Sequence, residues 1–226
     1  IKEPGGKTKR DMFLVDMHVH TALGGDSLIR PEEVADCARR AGLDAVCITE
    51  HHSYDLSHPF AEISRQTGFP VFRGLEYRAA EGHLLIYGVP ASRSDLPPGL
   101  PMQTVIDWVC ARGGAAAAAH PFQKTMAGTA LGNRLFELKN LAGVETCNAS
   151  LTDRENRLAA DAAREMGLCG IGGSDAHGPQ VLGRACTVFE RRLHSISELV
   201  AALKNGKCRP RNNAEHGAGN KSCCTG

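Results

Sequence analysis

Aromatic rings are scarce in this chain, with one Trp, three Tyr and seven Phe among 226 residues. Successive bases stack on such rings, and a formal net charge of +1 offers no broad attraction for a polyanion, so extended nucleic-acid binding is not expected. An apolar content of 42% and a charged content of 23% sit near globular averages, which excludes disordered, fibrous and bilayer-spanning classes. The opening IKEPGGKTKR is basic but has no apolar stretch to make it a secretory signal. It also lacks an initiator Met, so residues upstream of Ile1 are expected. The nine cysteines contain no CxxC pair, and their odd count points to free thiols in a reducing, cytoplasmic setting. Most lie in apolar or helical stretches as small core residues; only the adjacent Cys223 and Cys224 stand apart.

What is present is an alternation of short apolar runs with amphipathic helices, the pattern of repeated βα units around a mostly parallel sheet. FLVDMHVH (Phe13 to His20) reads as the first strand, followed by a helix that opens on Pro31 and stops at Gly42. AVCITEH, PVFRGLEY and HLLIYGV read as the next three strands, with a short helix near Phe60 to Gln66. A helix over Gln103 to Ala111 leads into AAAAAHP, where Gly113 and Gly114 bar a continuous helix and His120-Pro121 ends the run, so the five alanines read as a strand. GVETCN is another strand, feeding a helix with the capping box Thr152-x-x-Glu155 and a stop at Gly167. LCGIGGSDAH and RACTVFE complete the set, and a last helix runs from Ser195 to Lys204. No internal repeat is found. The organisation expected is one domain over 13–209, with an extension at 1–12 and a polar, Gly-rich tail at 210–226.

The ends of the strands carry the chemistry. The first ends in His18 and His20, the second in Glu50-His51-His52 and the third in Glu76; the fourth begins with His83, the alanine run ends in His120, and GGSDAH ends in Asp175 and His177. In parallel α/β sheets and barrels the carboxyl ends of the strands share one face, so these groups are expected to converge. Side chains at i and i+2 lie on one side of a strand, which makes His18/His20 and Asp175/His177 chelating pairs. Imidazoles and carboxylates without thiolate suit Zn²⁺, Mn²⁺ or Fe²⁺, and the number of ligands would serve two or three ions. Leaving so many titratable groups buried and unpaired would cost several kcal/mol, which bound metal ions would remove. His52 fits the pattern less well, and His58, His194 and His216 read as surface residues.

DMHVHT, RPEEVADCARRAGLDAVCITEHH, GLEY, HLLIYG, HP and GGSDAHG, in that order, resemble the motifs of the PHP superfamily, the polymerase and histidinol phosphatase domain, over roughly Phe13 to Arg209. The nearest likeness is to its small bacterial metal-dependent phosphoesterases. The resemblance implies a distorted (β/α)7 TIM-like barrel in a single α/β domain and a trinuclear metal site that hydrolyses phosphate mono- or diesters. By position, His18 and His20 would bind one metal with Asp175 and a bridging Glu76. His83 and His120 would complete a second with Glu76, and a third would sit between Asp26, His51 and His177. Asp26 falls in TALGGDS, where the glycines before it let the loop fold back. TEH stands where the family has TDH, which gives Glu50 a supporting role beside His51. Only a loop, GVPASRSDLPPGLP, stands where many relatives insert a small domain, so an open pocket is expected.

The expected chemistry is in-line attack on phosphorus by a hydroxide bridging two metals. Glu76, His51 and His177 are the candidate catalytic residues, the histidines as proton donors to the leaving oxygen. Arginine matches phosphate geometry; Arg184 is the first candidate for substrate binding, Arg78 the second, and Lys124 a weaker third. The near-neutral charge favours a small phosphorylated substrate, nucleotide- or metabolite-like. Two rivals remain at this level. One is an amidohydrolase cleaving C–N bonds, whose usual carboxylated Lys has no counterpart at these strand ends; the other is a non-catalytic PHP metal-binding module.

Overall fold

The computed structural model describes residues 12–51, 53–126 and 128–213. His52, His216, Cys223 and Cys224 therefore lie outside the described residues.

In chain order the elements are β1 (Phe13–Val19), α1 (Val34–Arg40), β2 (Ala45–Ile48), α2 (Phe60–Thr67), β3 (Val71–Arg78), β4 (His83–Tyr87), α3 (Met102–Ala111) and β5 (Ala115–Ala119). There follow β6 (Lys124–Thr125), β7 (Gly128–Thr129), β8 (Gly143–Asn148), α4 (Asp153–Glu165), β9 (Gly170–Gly173), β10 (Ala185–Phe189), α5 (Ile196–Lys204) and β11 (Cys208–Asn212). Among the described residues nine strands form one sheet in the order β11-β10-β1-β2-β3-β4-β5-β8-β9, and β6 and β7 make a separate small hairpin. The far end of the sheet comes back to β1: Asp175 N donates to His18 O at 2.8 Å, His20 N donates to Ala176 O at 3.2 Å, and Val19 and Ala176 form a parallel bridge. The result is a mixed α/β domain whose sheet nearly closes into a distorted barrel.

The sheet is less parallel than its sequence suggests. β1-β2-β3 and β5-β8-β9 are parallel ladders, whereas β4 runs antiparallel to β3 and β5, and β10 antiparallel to β1 and β11. The turn from β3 to β4 is too short for a crossover, so β4 must reverse. That reversal brings His83, at the beginning of β4, level with the carboxyl ends of β3 and β5. β11 is also a departure, because Pro210–Asn212 belong to the sheet: the ladder runs from Ala185 opposite Asn212 to Phe189 opposite Cys208. RPRNN carries no apolar alternation, and its edge position tolerates Pro210.

Alternation sorts the core. Leu85 and Tyr87 of β4, and Ala115, Ala117 and Ala119 of β5, face the barrel interior with Phe13, Val15 and Met17. Ile86, Ala116 and Ala118 face outward, against Val105, Ile106 and Val109 of α3. The alanine run is thus a strand despite its helix propensity, because both of its faces pack. Leu199, Val200 and Leu203 of α5 join the interior cluster and plug the end where β4 finishes; a Cβ on Gly88 would come within 2.6 Å of Val200 Cγ2. α4 opens on the full capping box of Thr152 and Glu155. The other end of the barrel is left to polar groups.

Candidate metal centre

A register shift makes the first ligand pair possible. Phe13, Val15 and Met17 point inward, yet Val19 packs outside with Val34 and Ile48, and the β1–β2 ladder slips between Asp16 and Val19. This bulge reverses the phase, so that His18 and His20 turn inward and Asp16 outward. β8 repeats the device: its ladder with β9 slips between Glu145 and Cys147. Two non-glycine residues of the site have positive φ, His120 at 27° and Asp175 at 51°, strain of the kind that well-packed functional sites hold. Gly173 lets β9 approach, since a Cβ there would lie 2.4 Å from His18 Cβ.

Glu76 is the hub. Its Oε2 is 3.1 Å from Nε2 of both His18 and His20 and 3.2 Å from His51 Nδ1, while its Oε1 is 2.7 Å from His83 Nδ1 and 2.9 Å from His120 Nε2. Asp175 Oδ1 lies 3.4 Å from the same two Nε2 atoms and 3.7 Å from His177 Nδ1. Asp26 Oδ2 lies 3.2 Å from His51 Nε2 and 3.7 Å from His177 Nε2. The nine residues that the family resemblance assigns to metal binding are therefore gathered at one mouth. Among the described residues four groups have donor atoms within 4.8 Å of one another: His18, His20, Glu76 and Asp175; His20, Asp26, His51 and His177; Glu76, His83 and His120; and His18, His120 and Glu145. His20 thus also faces the Asp26 group.

These donors fit a metal ion. His18 Nε2 and His20 Nε2 are 3.0 Å apart, and with the two carboxylate oxygens the separations run from 3.0 to 3.4 Å. A tetrahedral centre with bonds of about 2.1 Å spaces its donors by about 3.4 Å, and an octahedral one by about 3.0 Å. Among the described residues no sulfur takes part. His20 Nδ1 and His120 Nδ1 are buried without a hydrogen-bond partner.

Burial disfavours the His18 cation, but Asp175, Glu145 and Glu76 outweigh it and hold its pKa well above the ordinary value. His20 is likewise pushed up, to about 9, by its bonds to Asp175 and Glu76 against the cost of burial. Burial raises Glu76 and Asp175, yet the facing imidazoles hold both below the usual carboxylate range. His51 goes the other way: burial, with His20 and His83 nearby, pushes it down to about 4 despite Glu76 and Asp26. Protons on His18 and His20 thus balance the acids, and a divalent cation would displace them.

Supporting groups surround the donors. Glu50 accepts from Thr21 N at 3.1 Å and from the Thr21 hydroxyl, anchoring the loop that carries Asp26. Gly24 packs on Glu50, and Gly25 has φ 87°. The sequence reading passed over three such groups. Asp16 accepts from Ser174 N at 2.8 Å and Gly183 N at 2.9 Å, and burial raises its pKa to about 6 in spite of these donors. Glu145 and Asn148, on β8, lie against His18 and Asp175; the strand-end rule applied to GVETCN would have found Asn148, which ends the strand, but not Glu145 in its middle. Arg78 and Arg184 are exposed. Two grooves, about 290 Å³ beside Phe189 and Ala202 and about 320 Å³ beside Arg73 and Ile196, are not lined by the cluster.

This chain belongs to the PHP domain family: the family's sequence profile matches residues 16–151, and that of the PHP-associated region matches 153–208. An uncharacterised protein of Methanocaldococcus jannaschii is 30% identical over 144 residues, covering 59% of this chain and 81% of its own. A two-domain protein of Bacteroides vulgatus, described as containing a predicted PHP-like metal-dependent phosphoesterase, superposes with TM-score 0.65 at 22% identity over 88% of this chain. This chain spans 64% of that protein's length. An amidohydrolase from Chromobacterium violaceum, solved with bound sulfate and no metal, superposes with TM-score 0.58 at 18% identity over 89% of this chain and 99% of its own. At these identities the structural likenesses establish the fold alone. Among the described residues no helix is long and apolar enough to cross a membrane.

Proposed function

We propose that this protein is a metal-dependent phosphoesterase that hydrolyses phosphate mono- or diesters of a small, nucleotide- or metabolite-like substrate. One observation carries the reading: at the mouth of a PHP barrel, Nε2 of His18 and of His20 lie 3.0 Å from each other and 3.1–3.4 Å from Glu76 Oε2 and Asp175 Oδ1. Divalent Zn, Mn or Fe held there would neutralise phosphoryl oxygens and bring the pKa of water to about 7. His18, His20, Glu76 and Asp175 would hold one ion, and His83 and His120 a second with Glu76. Asp26, His51 and His177 would hold a third, with His20 facing it.

The chain's own residues divide the remaining work. Glu76, with both oxygens engaged by imidazoles, joins the first two donor groups and keeps them at a fixed spacing. His51, pushed down to about 4, keeps its lone pair at neutral pH and suits a ligand better than an acid. His177, with its side chain 41% exposed, is the most exposed imidazole of the cluster, and where the third ion holds it only loosely it would instead pass a proton to a leaving oxygen. Arg78 and Arg184, both exposed, remain the candidate cations for the phosphoryl group.

The test is metal analysis of the purified protein, followed by a Mn²⁺-supplemented panel of phosphomonoesters and phosphodiesters with Asp175→Ala as control. Phosphate or alcohol release that the control abolishes is the expected result. A metal-loaded but inert protein would favour the binding-module reading, and ammonia release from amides would favour the amidohydrolase.

A further inference from the structure

We infer that Glu145 is a positioning residue that fixes which nitrogen of His18 is offered to the metal centre and holds His120 and Asp175 in place. The inference rests on the metal-dependent reading above and adds a residue to it. Glu145 is buried on β8, and both its oxygens are in use. Oε1 is 2.9 Å from His18 Nδ1. Oε2 accepts from the backbone N–H of His120 at 2.9 Å and from Asn148 Nδ2 at 3.0 Å. Asn148 Nδ2 in turn reaches Asp175 Oδ2 at 3.3 Å. One carboxylate thus supports three donors from three strands: His18 through its ring, His120 through its backbone and Asp175 through an amide.

The chemistry follows from the two nitrogens of imidazole. An ionised carboxylate only accepts, so the nitrogen facing it carries the hydrogen. Nδ1–H of His18 donates to Glu145, so the proton that a cation would displace is the one on Nε2, whose lone pair then faces Glu76 and Asp175. Neither His20 Nδ1 nor His120 Nδ1 has such a partner. The backbone bond matters as much, because it holds His120 at φ 27°, a conformation an L residue leaves unless it is tied. Glu145 also lies within reach of His18 and His120 as a donor group of its own. Its oxygens, however, already accept from three N–H groups, so it acts as the acceptor behind the ligands and not as one of them.

Glu145→Gln is the decisive change, because it keeps the shape and removes one acceptor. A glutamine can accept from His18 Nδ1 or from His120 N–H but not from both through separate oxygens; its NH₂ must then face a donor or force His18 to the other tautomer. Titration calorimetry with Mn²⁺ is expected to show binding about 10- to 100-fold weaker than in the wild type, with the metal-free circular dichroism spectrum unchanged. In the Zn²⁺-loaded, ¹⁵N-labelled wild type, His18 is expected to show its hydrogen on Nδ1. This measurement decides the matter even if the variant does not fold. Equal Mn²⁺ affinity in a folded Glu145→Gln protein, or a His18 hydrogen on Nε2, overturns the inference and leaves the metal reading standing. A wild-type protein that binds no divalent ion overturns both.

Discussion

The ring of His20 stacks between those of His51 and His177, with both centroids 4.5 Å away. His20 therefore stands between the inner donor group around Glu76 and the outer group around Asp26. Replacing it should disturb both. Elemental analysis after dialysis against Mn²⁺ is expected to show a larger loss of bound metal from His20→Ala than from His83→Ala, since His83 belongs to one group only. Equal losses would mean that the two groups fill independently of His20.

A glycine sets how close β9 comes to β1. A Cβ at Gly173 would lie 2.4 Å from His18 Cβ, 2.9 Å from His18 N and 3.0 Å from Glu145 Oε1, contacts that only a backbone shift can relieve. Gly173→Ala is expected to cost about 1–3 kcal/mol in denaturant unfolding, the range for overpacking. Metal affinity should fall with it, because the shift moves His18 away from Glu76 and Asp175. A variant as stable as the wild type with full metal affinity would show that β9 has slack there.

Glu155 ties the β6–β7 hairpin to α4. It accepts from Thr152 N at 2.9 Å, from the Thr152 hydroxyl at 2.5 Å and from Lys124 N at 2.8 Å. The Thr152 hydroxyl, followed by the Lys124 and Thr152 backbone donors, holds its pKa below the usual carboxylate range. A lowered folded-state pKa stabilises the fold above the unfolded value, and the contribution is lost as pH falls through the folded value. Glu155→Gln should accordingly cost about 0.5–2 kcal/mol at neutral pH, the range for a lost cap. The difference from wild type should vanish in acid. A difference independent of pH, measured by urea unfolding across the carboxylate range, would assign the effect to packing.

Much of this architecture was legible in the sequence because alternation, caps and glycine stops act locally. GVETCN, the alanine strand and the Thr152 capping box are read from neighbours alone. So were the strand-end histidines, since HxH and DxH motifs mark themselves. Non-local facts were not legible. The slips in β1 and β8 arise from pairing with neighbouring strands, so the rotation that brings His18 inward beside Met17 has no signature in FLVDMHV. β11 pairs through its backbone and leaves no apolar pattern. Glu145 looked like one more polar residue because its partners, His18 and His120, are 127 and 25 positions away.

Strand geometry also reorders the two arginines. On β3, Arg78 is two residues beyond Glu76 and therefore on the same face, and its Cα partner across the β3–β4 ladder is His83. Arg184 precedes β10 and has the parity of Cys186, which packs in the outer cluster with Val34 and Leu43. Arg78 thus lies on the face of β3 that carries Glu76, whereas sequence position alone favoured Arg184. A charge-assisted bond to a phosphoryl oxygen contributes about 1.5–3 kcal/mol, so Arg78→Ala is expected to lower kcat/KM for a phosphoester about 10- to 100-fold. Arg184→Ala should leave kcat/KM within about threefold of wild type, the scale of an ordinary surface substitution. The opposite ranking in parallel assays would mean that the phosphoryl group approaches from the β10 side of the barrel, away from His83.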